Sequence, residues 1–213
     1  RFFDAEFELV HANVEQWVIN ELEGLDERCV RLGVLKKRIS HGQSLRLGAV
    51  LETNLTDLVS ENEDIAEQHI MAMAIIRYFS LDMRTFKQCM DRVRFVASNI
   101  GDDLHFFWAL YLVVLKKIDS NEYRFFKAGN QFSENALRVD TRPTSLNMGK
   151  NRYDVLELAK EYRDGISDRE GLKARFRSAD NDSEVQVLES IMHSADSLAK
   201  YYQLVELSHS LGG

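Results

Sequence analysis

Leu104-His105-Phe106-Phe107-Trp108-Ala109-Leu110-Tyr111-Leu112-Val113-Val114-Leu115, residues 104–115, is the stretch that decides the fold. It carries His105 as its one polar side chain and ends against Lys116-Lys117. At about 12 residues it is too short for a bilayer, which needs ~20. A helix apolar on nearly every side belongs in the middle of a bundle, with other helices covering each face. Gly101 breaks the chain before it, and Asp102-Asp103 are expected to open the helix, where the macrodipole favours acids.

Working outward, the flanking segments have the pattern such a bundle needs. After Ser80, read as a cap, Met83, Phe86, Met90, Val93 and Ala97 recur at three- and four-residue steps, with Lys87, Asp91 and Arg92 facing away. Ser60 caps a helix from Glu61 to Tyr78, with Ile65, Ile70, Met73, Ala74 and Ile76 or Arg77 on its buried side. Further back, a helix from about Ser44 to Val59 follows a less regular stretch over 25–44. An earlier helix, capped by Asn13, carries Val14, Trp17, Val18 and Leu22 and ends near Gly24. The first residues, Arg1-Phe2-Phe3-Asp4-Ala5-Glu6-Phe7-Glu8-Leu9, alternate as a half-buried strand does. A lone strand cannot satisfy its backbone, so its partners are expected in sequence preceding Arg1.

On the other side, residues 120–129 read as a short Phe-rich helix and 129–151, with Pro143, as a long connection. Helical signal returns over Tyr153–Arg163 and, more weakly, Asp168–Arg177. Ser183 to about Leu207 is the clearest helix, with Leu188, Ile191, Ala195, Leu198, Tyr202 and Val205 in the 3-4 alternation of a coiled-coil-like seam. The fold class is therefore mainly α, a helical bundle after one terminal strand.

Composition agrees with a folded, soluble chain. Of 213 residues 45% are hydrophobic and 29% charged, and 27 basic against 34 acidic residues leave a net charge of −7. That balance argues against a general nucleic-acid surface. Asp4, Glu6 and Glu8 interrupt every early apolar run, so no signal peptide opens the chain. Cys29 and Cys89 make neither a disulfide framework nor a zinc spacing and are expected reduced and packed, which points to the cytoplasm.

Three blocks, at residues 1–9, 78–86 and 121–129, in that order resemble P-loop NTPases of the KAP family. Arg1-Phe2-Phe3-Asp4, with Phe7 and Leu9, resembles the last strand of the family's core. Tyr78-Phe79-Ser80-Leu81-Asp82-Met83-Arg84-Thr85-Phe86 resembles its aromatic, Asn/Ser, Leu, Ser/Asp, Leu, Arg, Asp, Leu/Ile stretch. Asn121-Glu122-Tyr123-Arg124-Phe125-Phe126-Lys127-Ala128-Gly129 resembles its Glu-aromatic, aromatic, Gly ending. The likeness covers about residues 1–130. It implies the last strand of an α/β NTPase core over 1–12, a helical lid-like domain over 13–130, a connecting loop over 131–150 and a C-terminal helical extension over 151–213. No Gly-x-x-x-x-Gly-Lys-Ser/Thr occurs, so this chain holds no phosphate loop. ATP and Mg2+ are expected to bind mainly outside it, in an upstream NTPase core that would be the chain's first partner.

Arg84 is the residue the resemblance singles out: it lies where lid domains of AAA-like ATPases present an arginine to the γ-phosphate, and a guanidinium there stabilises charge in phosphoryl transfer. The bland alternative is an exposed helix arginine pairing with Asp82 or Gln88. Family resemblance further implies a role in phage exclusion or antiviral defence. A competing reading is a stand-alone helical interaction module that self-associates or binds an effector through the 183–207 helix. Helical ribonucleases of the HEPN type place Arg four to six residues before His, whereas Arg38 is three before His41. Asp102, Asp103 and His105 read as helix-opening residues rather than metal ligands. Lys36-Lys37-Arg38 and Lys173, Arg175, Arg177 read as solvated faces.

Overall fold

The computed structural model describes residues 17–25, 28–32, 67–129, 145–148, 151–179 and 182–210. Within them the chain forms helix α1 (residues 17–22), α2 (Glu67–Tyr78), α3 (Met83–Asn99), α4 (Phe106–Ile118) and α5 (Ser120–Lys127). A hairpin of β1 (Ser145–Met148) and β2 (Asn151–Asp154) follows, then α6 (Val155–Ser167), α7 (Arg169–Ser178) and α8 (Asp182–Ser210). The strand expected over 1–9, the Asn13 cap, the helix expected over 44–59, His41 and Lys36-Lys37-Arg38 lie outside the described residues.

The architecture is mainly helical, and α4 is its centre. Every residue from Phe106 to Leu115 is buried, because α2, α3, α5, α6 and α8 all pack on it. Burying one such side chain contributes about 1.5–3 kcal/mol before ordering entropy is subtracted. Trp108 stacks on Tyr162 of α6 with ring centres 5.4 Å apart and planes 8° from parallel, and meets Tyr202 of α8 edge-on at 5.7 Å. α4 starts later than its sequence indicates. Its N-cap is His105 and its first helical residue Phe106, so Asp102 and Asp103 stand exposed in the approach and not in the first turn. The approach is held elsewhere: Leu104 pairs with the 28–32 segment, its N–H donating to Arg28 C=O at 2.6 Å and its C=O accepting from Val30 N–H at 2.9 Å.

The covering helices follow their periodicity. In α3, Phe86, Met90, Val93 and Ala97 are buried, joined by Cys89 and Val96. α2 is buried on more sides than one amphipathic stripe, since Glu67, Gln68 and His69 are covered along with Met71–Ile76. α8 lays Leu188, Ile191, Leu198, Tyr202 and Val205 onto the core, packing against α3, α4, α6 and α7. Its seam is thus covered by this chain's own helices, and residues 155–210 share one apolar core with 67–127. Gly165 permits the closest approach: a Cβ there would come within 2.5 Å of Ile191 Cγ2.

The hairpin puts paired strands at the end of the stretch, 129–151, that reads in sequence as a long connection or an ordered loop. β1 and β2 pair antiparallel, Ser145 with Asp154 through to Met148 with Asn151. Neither strand is rich in the β-branched residues that mark strands in sequence. The pairing rests on the short return and on contacts with α2 and α6. β2 runs directly into α6, where Asp154 accepts Leu156 N–H and Glu157 reaches back to Asp154 N–H, a complete capping box. No helix among the described residues is long and apolar enough to cross a membrane.

Candidate functional site

Arg84 stands in the first turn of α3, and the cap beside it differs from the expectation. Asp82, not Ser80, is the N-cap: its Oδ1 accepts Thr85 N–H at 2.7 Å and its Oδ2 accepts the Thr85 hydroxyl at 3.1 Å. Ser80 sits two residues earlier with φ of 50°, in the turn that closes α2. The Thr85 N–H, more than any other group, holds the Asp82 carboxyl below its usual range, with Arg84 adding to the effect.

Arg84 itself is exposed and makes no ion pair with another described residue. At the second helical position its charge opposes the macrodipole, an effect of about 0.3–1 kcal/mol that Asp82 partly offsets. A guanidinium's planar fork suits a phosphate oxygen pair.

A second polar group lies inside the bundle, where α4 begins. His105 N–H donates to the Tyr201 hydroxyl at 2.8 Å, and its Nδ1 lies 3.1 Å from the Tyr162 hydroxyl. Glu67, also buried, accepts Leu32 N–H at 2.8 Å. These bonds tie α2, α6, α8 and the 28–32 segment to the entrance of α4. Burial lowers His105 to about 4, so the ring is neutral near pH 7. The same burial pushes the Tyr162 and Tyr201 phenols up. Neutral, covered groups of this kind hold helices together; none presents a nucleophile or base to solvent.

Other sequence candidates are dispersed. Asp102 and Asp103 are exposed while the His105 ring is buried, so the three do not converge on one ion. Among the described residues no group of three His, Cys, Asp or Glu side chains is placed to hold a metal. Lys173 pairs with Glu170 at 2.7 Å and Arg175 pairs with Glu161. Both cysteines are free thiols; burial raises Cys89 to about 12, and Cys29 Sγ donates to Leu25 C=O.

Sequence reasoning singled out Arg84 by resemblance and did not anticipate the contacts of His105 with Tyr162 and Tyr201. His105 was visible as the polar residue of an apolar run, and its partners, 57 and 96 residues away, left no local signal. Comparison with family models, curated proteins and solved structures finds no match to this chain.

Proposed function

We propose that this chain is the helical lid and C-terminal extension of a KAP-type P-loop NTPase, acting in the cytoplasm to couple ATP binding or hydrolysis to an effector in phage exclusion or antiviral defence. The observation that carries the reading is Arg84: an exposed arginine, without an ion pair to another described residue, held in the first turn of α3 against the helix dipole. A residue placed at a small local cost is expected where function asks for it. The resemblance places ATP and Mg2+ mainly in an upstream core, outside this chain. In that arrangement Arg84 donates N–H bonds to terminal phosphate oxygens when the lid closes. The biological role rests on the resemblance of residues 78–86 and 121–129 alone.

The test is ATP hydrolysis by the product of the uninterrupted reading frame that encodes this chain. Arg84→Ala is expected to lower kcat by at least about tenfold, some 1.4 kcal/mol of barrier, while ATP binding stays within a few-fold. A protein without ATPase activity, or an Arg84→Ala variant hydrolysing at the parent rate, rejects the proposal.

The alternative, a stand-alone interaction module, is not favoured by the seam of α8, where Leu188, Ile191, Leu198, Tyr202 and Val205 are covered within the chain. It would need another surface.

A further inference from the structure

Such a surface exists where α4, α5 and the end of α8 meet. A cleft of about 350 Å³ is lined by Lys116, Ser120, Tyr123, Arg124 and Glu206. Its cations are held by rings: the Lys116 ammonium lies 5.2 Å from the centre of Tyr123 and that of Lys127 5.5 Å from Tyr202. The two tyrosines meet edge-on at 6.4 Å, and the Tyr123 hydroxyl donates to Tyr202 C=O at 3.3 Å. Glu206, the acid in the cleft, is bound to Lys127 at 2.7 Å. Lys116 and Arg124 have no ion pair with another described residue. Partial burial holds Lys116 below its ordinary range; Glu206 pulls the other way, and Lys127 and Arg124 add to the lowering.

Cations in the last turns of α4 and α5 complement the helix dipoles, and that accounts for some of this charge. It does not account for the apolar side chains beside them. Ile118, Phe125 and Leu207, at 42, 52 and 48% exposure, are the exposed large hydrophobic residues among those described. Ile118 follows Lys117, Phe125 follows Arg124 and Leu207 follows Glu206. A single such residue is ordinary. Here all three lie on the helices that line the cleft.

We propose that this end of the bundle docks an acidic, amphipathic segment of a partner protein, with carboxylates on Lys116 and Arg124 and apolar side chains against the exposed Phe125 of the same helix as Arg124. Charge complementarity selects the occupant. A bilayer extends past the patch and meets the whole molecule, whose net charge is −7, whereas a peptide meets the cleft alone. A small inorganic anion would leave the apolar side chains in water. The proposal needs only this chain and stands apart from the NTPase reading.

The probe is a fluorescein-labelled peptide with Leu and Phe at helical spacing and Glu between them, titrated by anisotropy at low salt. Saturable binding is expected, weakened at least about tenfold by Lys116→Glu with Arg124→Glu, and weakened by Phe125→Ser and by added NaCl. The same charge change on α7, Lys173→Glu with Arg177→Glu, should leave it within about twofold. If the first pair does not fold by circular dichroism, Lys116→Gln with Arg124→Gln is used in its place. No binding, or equal loss in both double variants, overturns the proposal. So does recruitment to phosphatidylserine vesicles in the absence of peptide binding.

Discussion

His105 shows what one buried side chain costs and controls. Its ring is covered, bonded through Nδ1 to Tyr162, and Nε2 has no hydrogen-bond partner among the described residues. Burial lowers its pKa from 6.5 to about 4, and does the same for His69 and, first among several causes, for His209. A histidine lowered on folding binds its proton more readily in the unfolded chain. Stability should therefore be flat above about pH 6.5 and fall as the pH drops from there toward 4. The His105 share reaches up to about 3 kcal/mol, since each tenfold loss of proton affinity on folding corresponds to roughly 1.4 kcal/mol. Urea midpoints between pH 7.5 and 4.5 should show this slope, and His105→Phe should reduce it. The same substitution should lower stability at pH 7.5 by about 1–3 kcal/mol, because the Tyr162 hydroxyl loses its partner. An unchanged slope in the variant would locate the acid sensitivity elsewhere. The residue was legible in the sequence as a polar interruption; its environment was not, since both tyrosines come from distant helices.

At the scale of elements, the junction of α6 with α8 turns on Gly165. In an exposed helix interior Gly→Ala stabilises by about 1 kcal/mol. At Gly165 a Cβ would stand 2.5 Å from Ile191 Cγ2 and 3.3 Å from Leu172 Cδ2. Ile191 Cγ2 sits on a branched, stiff side chain that cannot swing aside. Gly165→Ala should thus destabilise, by about 1–2 kcal/mol net, and Gly165→Ala with Ile191→Ala should show a favourable coupling in a double-mutant cycle of denaturant midpoints. A stabilised single variant would mean the helices can separate freely. Element positions were marked unevenly: α3 and α8 fall where three- and four-residue steps put them, while α5, α6 and α7 were read from weaker helical signal. Their starts were marked less well. Ser80 and Asp82 are both good caps, and only the fold, which uses Ser80 at φ of 50° to turn the chain, chooses between them.

Across the whole molecule, α8 acts as a clasp. It contributes Val187, Leu188, Ile191, Leu198, Tyr201 and Val205 to the core, each fully covered, and it reaches α3, α4, α6 and α7. Tyr201 also accepts the N–H of His105 at the entrance of α4. A chain ending after Ala179 would expose that face of α4 and should lose its cooperative thermal transition by circular dichroism. A detachable C-terminal extension would leave the transition of the remainder in place. Within this chain Leu188, Ile191, Leu198, Tyr202 and Val205 of the α8 seam are buried against its own helices.

The sequence by itself determined that the protein is a helical bundle, that residues 106–115 lie at its centre, and that Arg84 is an arginine near a helix start. Each of these is local, written in the spacing of apolar side chains and in caps a few residues away. The tertiary structure alone decided what covers the α8 seam, where α4 begins, that residues 145–154 pair as a hairpin, and that His105 meets Tyr162 and Tyr201. Those outcomes depend on contacts between segments far apart in the chain. Their free energy is realised only when the helices pack, and it leaves no periodic trace in either partner.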